Sequence, residues 1–277
     1  MHSVLRGFDL SMNGRRPKAI AEAITALPVP SNWLGVGAQR NQIRFVARHL
    51  RRHFREGPQS LSETSLRCIG IVPTAQAIRA PARVNSKLVR VPAEADYLLG
   101  VTPIRDLQYH TRDQVQKAMG HGSIPGTNDP SLRIYHLLPI AFPASESLWT
   151  APDPLVTDVI KVSRSTEPHR LGTLIYNRCR DGEEDITVHA RGDIALAMAV
   201  RGIAKATAKL VSFEAKRLVA IPISFEPKSF QELQISIRCV DLSPSETGKI
   251  QSPKLLDILF EASEVEDDVS DLPTPKS

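Results

Sequence analysis

Arginine stands at positions 40, 44, 48, 51, 52 and 55, inside the stretch GVGAQRNQIRFVARHLRRHFRE (35–56). On a helix of 3.6 residues per turn these six fall within a sector of about 120°. Ile43, Val46, Ala47, Leu50 and Phe54 occupy a separate sector about 100° wide, the core-facing stripe of an amphipathic helix. Only Glu56 is close enough in sequence to neutralise the arginines. Like charges four apart on a helix repel by a few tenths of a kcal/mol per pair, so such a face needs a counter-charge from outside. Phosphate supplies it, and arginine grips phosphate bidentately. A charge run of mixed sign is ordinarily a solvated face. Six arginines without acids, together with Arg15, Arg16 and Lys18, favour the electrostatic footprint of a polyanion-binding protein.

Other chemistry finds less support. His49 and His53 lie four apart and could chelate a metal, but the surrounding arginines repel a cation. Gly35-Val36-Gly37 lacks the third glycine and the following acid of a dinucleotide fingerprint. There is no Gly-x-Ser-x-Gly elbow, and no cysteine with a placed histidine. The chain therefore reads as non-enzymatic, with no catalytic residue, metal or cofactor expected.

Composition agrees with a folded chain of one to two domains: 277 residues, 42% hydrophobic and 23% charged. The net charge of +5 is uneven, because residues 1–150 hold 19 Lys/Arg against 10 Asp/Glu and residues 151–277 hold 16 against 20. Three scattered cysteines fit a reducing compartment. No apolar run reaches the roughly 18–20 residues of a membrane span. The first 55 residues contain nine arginines and two acids, a composition also seen in mitochondrial leaders, yet they complete a predicted domain. The expected location is intracellular, with cytoplasm, nucleus and mitochondrial matrix left open.

The elements that would position the arginines repeat. Sliding the sequence by 157 residues lays Gly35 on Gly192, Ala38 on Ala195, Ile43 on Val200 and Val46 on Ile203. Arg44, Arg48 and Arg52 then fall on Arg201, Lys205 and Lys209. Ahead of the first copy come an apolar run at Val4–Leu10 and a helix at Pro17–Leu27. Ahead of the second come Val159–Ser163, a helix opening at Pro168 and a strand at Ile186–Ala190. Strand-like runs follow each long helix, at Leu66–Val72 and Lys87–Val91, with a continuation to Val101 left open, in the first copy and at Arg217–Ser224 and Glu232–Val240 in the second. Each unit thus reads β-α-β-α-β-β, a mixed four-stranded sheet with two helices on one face, in an α+β two-layer fold.

The expected boundaries are 1–104 for the basic unit, 105–154 for a connecting insertion, 155–242 for the second unit, and 243–277 for a short helix with an acidic tail. Within the insertion, 111–120 reads as a short helix and LRIYHLLPIAF as a strand. The β3–β4 connection of the first unit, PTAQAIRAPARVNSK, carries Arg79, Arg83 and Lys87 and no acid. Its counterpart in the second unit offers Phe225 and Phe230, which could stack bases or anchor the loop. Asp193 can cap the helix after Gly192 and repel an anion there. The turn near Gly37, where Val36 replaces that acid, is the more open to phosphate.

The stretch VIKVSRSTEPHRLGTLIYNRCR, followed by HARGDIALAMAVRGIAKA and RLVAIPIS, resembles the stage V sporulation protein S family. NGRRPKAIAEAITAL resembles the Gly-Lys-Lys-Pro motif of the Alba family, and HARG resembles its Ala-Arg-Gly motif. The resemblance covers roughly two-thirds of the chain. It departs from the pattern at Ser165–Pro168, where the basic pair is missing, and at 35–37, where Gly-Val-Gly replaces Ala-Arg-Gly. It implies Alba-like units, binding of RNA or DNA through the strand–helix turns and the β3–β4 hairpin, and dimerisation or protein contacts through a helix or sheet face. RNA is preferred over DNA, because duplicated members of that superfamily act in ribonucleoprotein complexes. The alternative is a scaffold subunit whose Alba-like units hold protein partners.

Overall fold

The computed structural model describes residues 27, 29–39, 42–88, 96–106, 133–144, 158–183, 185–224 and 230–243. They form an α+β structure in which one mixed eight-stranded sheet carries five helices. In chain order the elements are β1 (Asn32–Val36), α1 (Gln42–Glu56), α2 (Pro58–Ser62), β2 (Thr64–Ile69), α3 (Ile71–Leu88), β3 (Tyr97–Arg105) and β4 (Ile134–Pro143). Then follow β5 (Ile160–Val162), α4 (Pro168–Arg180), β6 (Ile186–Arg191), α5 (Asp193–Glu214), β7 (Lys216–Ile223) and β8 (Glu232–Asp241).

The sheet order is β1-β2-β4-β3-β7-β8-β6-β5. In each half the outer two strands pair parallel and the remaining pairs are antiparallel. Alternate residues of the strands, such as Leu66 and Cys68, Leu99 and Val101, Tyr135 and Leu137, enter one core with Val46, Ala47 and Leu50 of α1, Ile78 of α3, Ile175 of α4 and Leu196 of α5. α5 is buried on nearly all sides, as a helix dominated by alanine and aliphatics requires.

The halves meet where β3 and β7 run antiparallel, with a single ladder pair, Val101 and Ala220. Proline explains the short ladder. The register sets Leu99 against Pro222, which has no N–H to give. Asn85 of α3 substitutes for it: its amide nitrogen donates to the carbonyls of Leu99 at 2.9 Å and Pro222 at 3.0 Å, and its oxygen accepts from Leu99 N–H at 2.8 Å. Gly100 completes the fit, since a β-carbon there would stand 2.4 Å from a Val219 methyl.

Several expectations are corrected. Among the described residues the arginine helix follows the edge strand β1 and is the first long helix, not the second. The second is α3, which occupies the 73–87 stretch expected as a hairpin loop and ends at Leu88, where a strand was expected to begin. IVPTAQAIRAPARVNSKL has two prolines and a β-branched start, yet burial of Ala75, Ala77, Ile78, Ala82 and Val84 outweighs weak intrinsic propensity. The spatial counterpart of Gly192 is Gly70, 122 residues earlier. Both end a strand and begin a long helix, and both have positive φ, 84° and 87°, which glycine adopts without strain. The segment expected to be a connecting insertion holds β4, the strand expected at LRIYHLLPIAF. The expected elements at Val4–Leu10, Pro17–Leu27 and 111–120, and the helix and tail of 243–277, lie wholly or almost wholly outside the described residues.

Candidate nucleic-acid interface

On α1, Arg44, Arg48, Arg52 and Arg55 are exposed and Arg51 is half-buried, while Val46, Ala47 and Leu50 are buried. Arg52 pairs with Glu56 at 2.8 Å, and that guanidinium, with a hydrogen bond from Ser60, holds the Glu56 carboxyl below its usual range. Among the described residues no acid pairs with Arg44, Arg48, Arg51 or Arg55. Arg15, Arg16, Lys18 and Arg40 lie outside the described residues.

The residues of the expected basic loop have other roles. Arg79 is 2% exposed and forms an ion pair with Asp193 at 2.5 Å across the seam. It also donates to the Phe230 carbonyl at 2.6 Å and to Gln231 Oε1 at 3.1 Å. It is therefore a strut between α3 and the other half and is withdrawn from solvent. Arg83 stacks over Phe230 at 5.5 Å, and Phe230 packs against the core. Lys87 is exposed in the last turn of α3. Asp193 does not cap α5 through its side chain, because its carboxylate is engaged by Arg79.

A second group of cations was not singled out by sequence reasoning. Val36 lies beside Cys68, Ile69 beside Ile134 and Arg105 beside Tyr135. The β1–α1 turn, the β2–α3 turn and both ends of the 106–133 connection therefore lie at one end of the sheet. The turn at Gly37 is closed by Gln42, whose side chain accepts from the Gly37 N–H. To this end α5 brings Arg201, with its guanidinium 6.0 Å from the Tyr135 ring. Arg201 stands nine residues after Gly192, as Arg79 stands nine after Gly70. Where Asp193 faces Arg79, the corresponding residue on the Arg201 side is Ile71.

Electrostatics confirm the crowding. The Lys205 ammonium lies below the usual lysine range, through desolvation first and then Arg105, Lys209 and Arg133. Lys205 is exposed by surface area, so the three neighbouring cations are the more telling cause. Burial raises the Tyr135 hydroxyl, against the pull of Arg201, Arg105 and Arg133. The signal in the sequence was the spacing Arg201, Lys205, Lys209, one face of a helix at i, i+4, i+8. Arg105 and Arg133 carried no local signal, since only strand pairing unites them.

A Ser–His–Asp array also forms. Ser65 Oγ lies 3.0 Å from His136 Nδ1, and His136 Nε2 lies 3.1 Å from Asp106 Oδ2. With Ser65, His136 and Asp106 at 0%, 2% and 5% exposure, it is a buried polar strut tying β2 to β4 and the end of β3. Among the described residues no group of three metal-ligating side chains forms, and no helix is long and apolar enough to cross a membrane. Neither a protein-family model nor a curated protein matches the chain.

Proposed function

We propose that the chain is a non-catalytic nucleic-acid-binding protein, with RNA preferred over DNA, acting as a subunit of a ribonucleoprotein complex. It is built from two Alba-like units joined edge to edge through β3 and β7. Apart from the five-residue α2, the β-α-β-α-β-β order repeats, with the same strand neighbours in both halves, and this supports the two-unit reading. The observation that carries the function is the convergence of Arg105, Arg133, Arg201, Lys205 and Lys209 from three elements onto one end of the sheet. The arginine face of α1 begins from the same end. A concentration of cations attracts a polyphosphate and releases its counterions. The RNA preference rests on the family resemblance.

The test is the affinity of the full chain for labelled RNA and DNA oligonucleotides across a salt series. Nucleic-acid binding requires log affinity to fall linearly with log salt, with a slope reduced in Lys205→Glu/Lys209→Glu. Absence of salt-dependent binding to either polymer would leave the scaffold alternative in possession.

A further inference from the structure

We propose that the cleft at the β1 edge receives one unpaired nucleobase, stacked on Trp33, so that the protein selects single-stranded over duplex nucleic acid. This inference rests on the nucleic-acid reading and names the form of ligand. The cleft has a volume of about 570 Å³ and is lined by Asn32, Trp33, His49, His53 and Thr64, among others. That lies within the range of about 300–1,000 Å³ usual for small-ligand sites.

Trp33 is placed by strand alternation. Leu34 and Val36 turn inward, so Trp33 faces the other side of the sheet, where it is 50% exposed. A core would normally bury so large an apolar ring. The Arg67 guanidinium stacks 4.6 Å from the ring centroid. One aromatic face thus carries a cation, and the residue keeps half of its surface exposed for a second flat partner. A nucleobase is flat, polarisable and of the right size, and its stacking on an aromatic ring tolerates any sequence.

Polar groups for the edge of a base are at hand. The ring nitrogen His49 Nε2 is buried without a hydrogen-bond partner among the described residues. His53 is engaged by Ser60 at 2.6 Å, which itself donates to Glu56 at 2.8 Å, so it forms a fixed wall. Glu63 in the lining argues against a phosphate inside the cleft and for a neutral occupant. The phosphates instead have the arginines of α1: Arg48 and Arg52 flank His49 in sequence on the next sector of the same helix. A strand crossing α1 would set its backbone on the arginines and turn one base over the β1 edge. A duplex keeps its bases stacked on each other and offers none.

The experiment compares a single-stranded 12-mer with the 12-base-pair duplex of the same sequence, using the full chain, Trp33→Leu and Trp33→Phe. Circular dichroism checks that each variant is folded. The expected result is a loss of about fivefold or more for the single strand in Trp33→Leu, a duplex affinity within about twofold of wild type, and partial recovery in Trp33→Phe. Equal losses for both ligands, or none, overturn the base cleft while leaving the basic-end reading standing if salt-dependent binding persists. Failure of the wild-type chain to bind either ligand at low salt overturns both.

Discussion

Arg79 of α3 and Asp193 at the start of α5 meet at 2.5 Å across the seam between the halves, the guanidinium 2% and the carboxylate 37% exposed. This asymmetry of burial sets the order of mutational effects. Removing the acid strands a buried cation, whereas removing the cation leaves a carboxylate that water can reach. Asp193→Ala is expected to cost about 3 kcal/mol in urea unfolding and Arg79→Met about 1–2 kcal/mol. The reverse order would show that Arg79 is held chiefly by the Phe230 carbonyl and Gln231.

Asn85 is the next most exacting contact. It is fully buried and satisfies three backbone groups on two strands from opposite halves. Asn85→Leu leaves the Leu99 N–H and two carbonyls without partners, at an expected cost of about 3 kcal/mol. Hydrogen exchange at Leu99 checks the cause, because its amide should lose protection more than that of Val101.

Legibility in the sequence followed locality. The second half was read nearly residue for residue, with expected strands at Ile186–Ala190, Arg217–Ser224 and Glu232–Val240 against β6, β7 and β8. Its punctuation is explicit: Pro168 opens α4 and Gly192 separates β6 from α5. In the first half the same grammar is obscured. The arginine helix matched α5 because both carry cations every fourth residue beside an apolar stripe, a pattern shared by helices in different places on the sheet. α3 was hidden by Pro73 and Pro81; β4 was legible as a strand at LRIYHLLPIAF, but the 28 residues (106–133) that separate it from β3 concealed their pairing. The same separation concealed Arg105 and Arg133, whose proximity exists only once those strands pair.

His49 gives a dependence on pH. Burial, then His53 and Arg52, hold its imidazole below the ordinary value of about 6.5, against a smaller opposing effect of Glu56. The unfolded chain therefore takes up the proton first as pH falls, and stability falls with it. The stabilising contribution is complete above about pH 6.5 and is lost below it, down toward the folded-state value. Denaturant midpoints measured from pH 7.5 to 5 should decline, and His49→Gln should flatten that decline.

The three thiols should react in a fixed order. Burial pushes the Cys68 thiol up to about 12. Cys179 donates a hydrogen bond to the sulfur of Cys239, which lowers Cys239 and raises Cys179. Cys239 is also half-buried where the others are buried. The thiolate is the reactive form, so iodoacetamide at neutral pH followed by mass spectrometry should mark Cys239 first and Cys68 only on unfolding.

The two basic regions can be told apart by salt. Lys205→Glu/Lys209→Glu acts at the crowded end of the sheet, where removing cations also relieves mutual repulsion, so stability should hold or rise slightly while nucleic-acid affinity falls. Arg44→Glu/Arg48→Glu acts on the exposed face of α1, where no acid among the described residues offsets either side chain. Each phosphate contact removed lowers the slope of log affinity against log salt by about 0.7 for a single strand. If both regions touch one bound strand, each double variant lowers the slope by more than about 1 and the quadruple variant lowers it by roughly the sum. A slope changed by only one pair confines the interface to that region, and a slope changed by neither removes both from it.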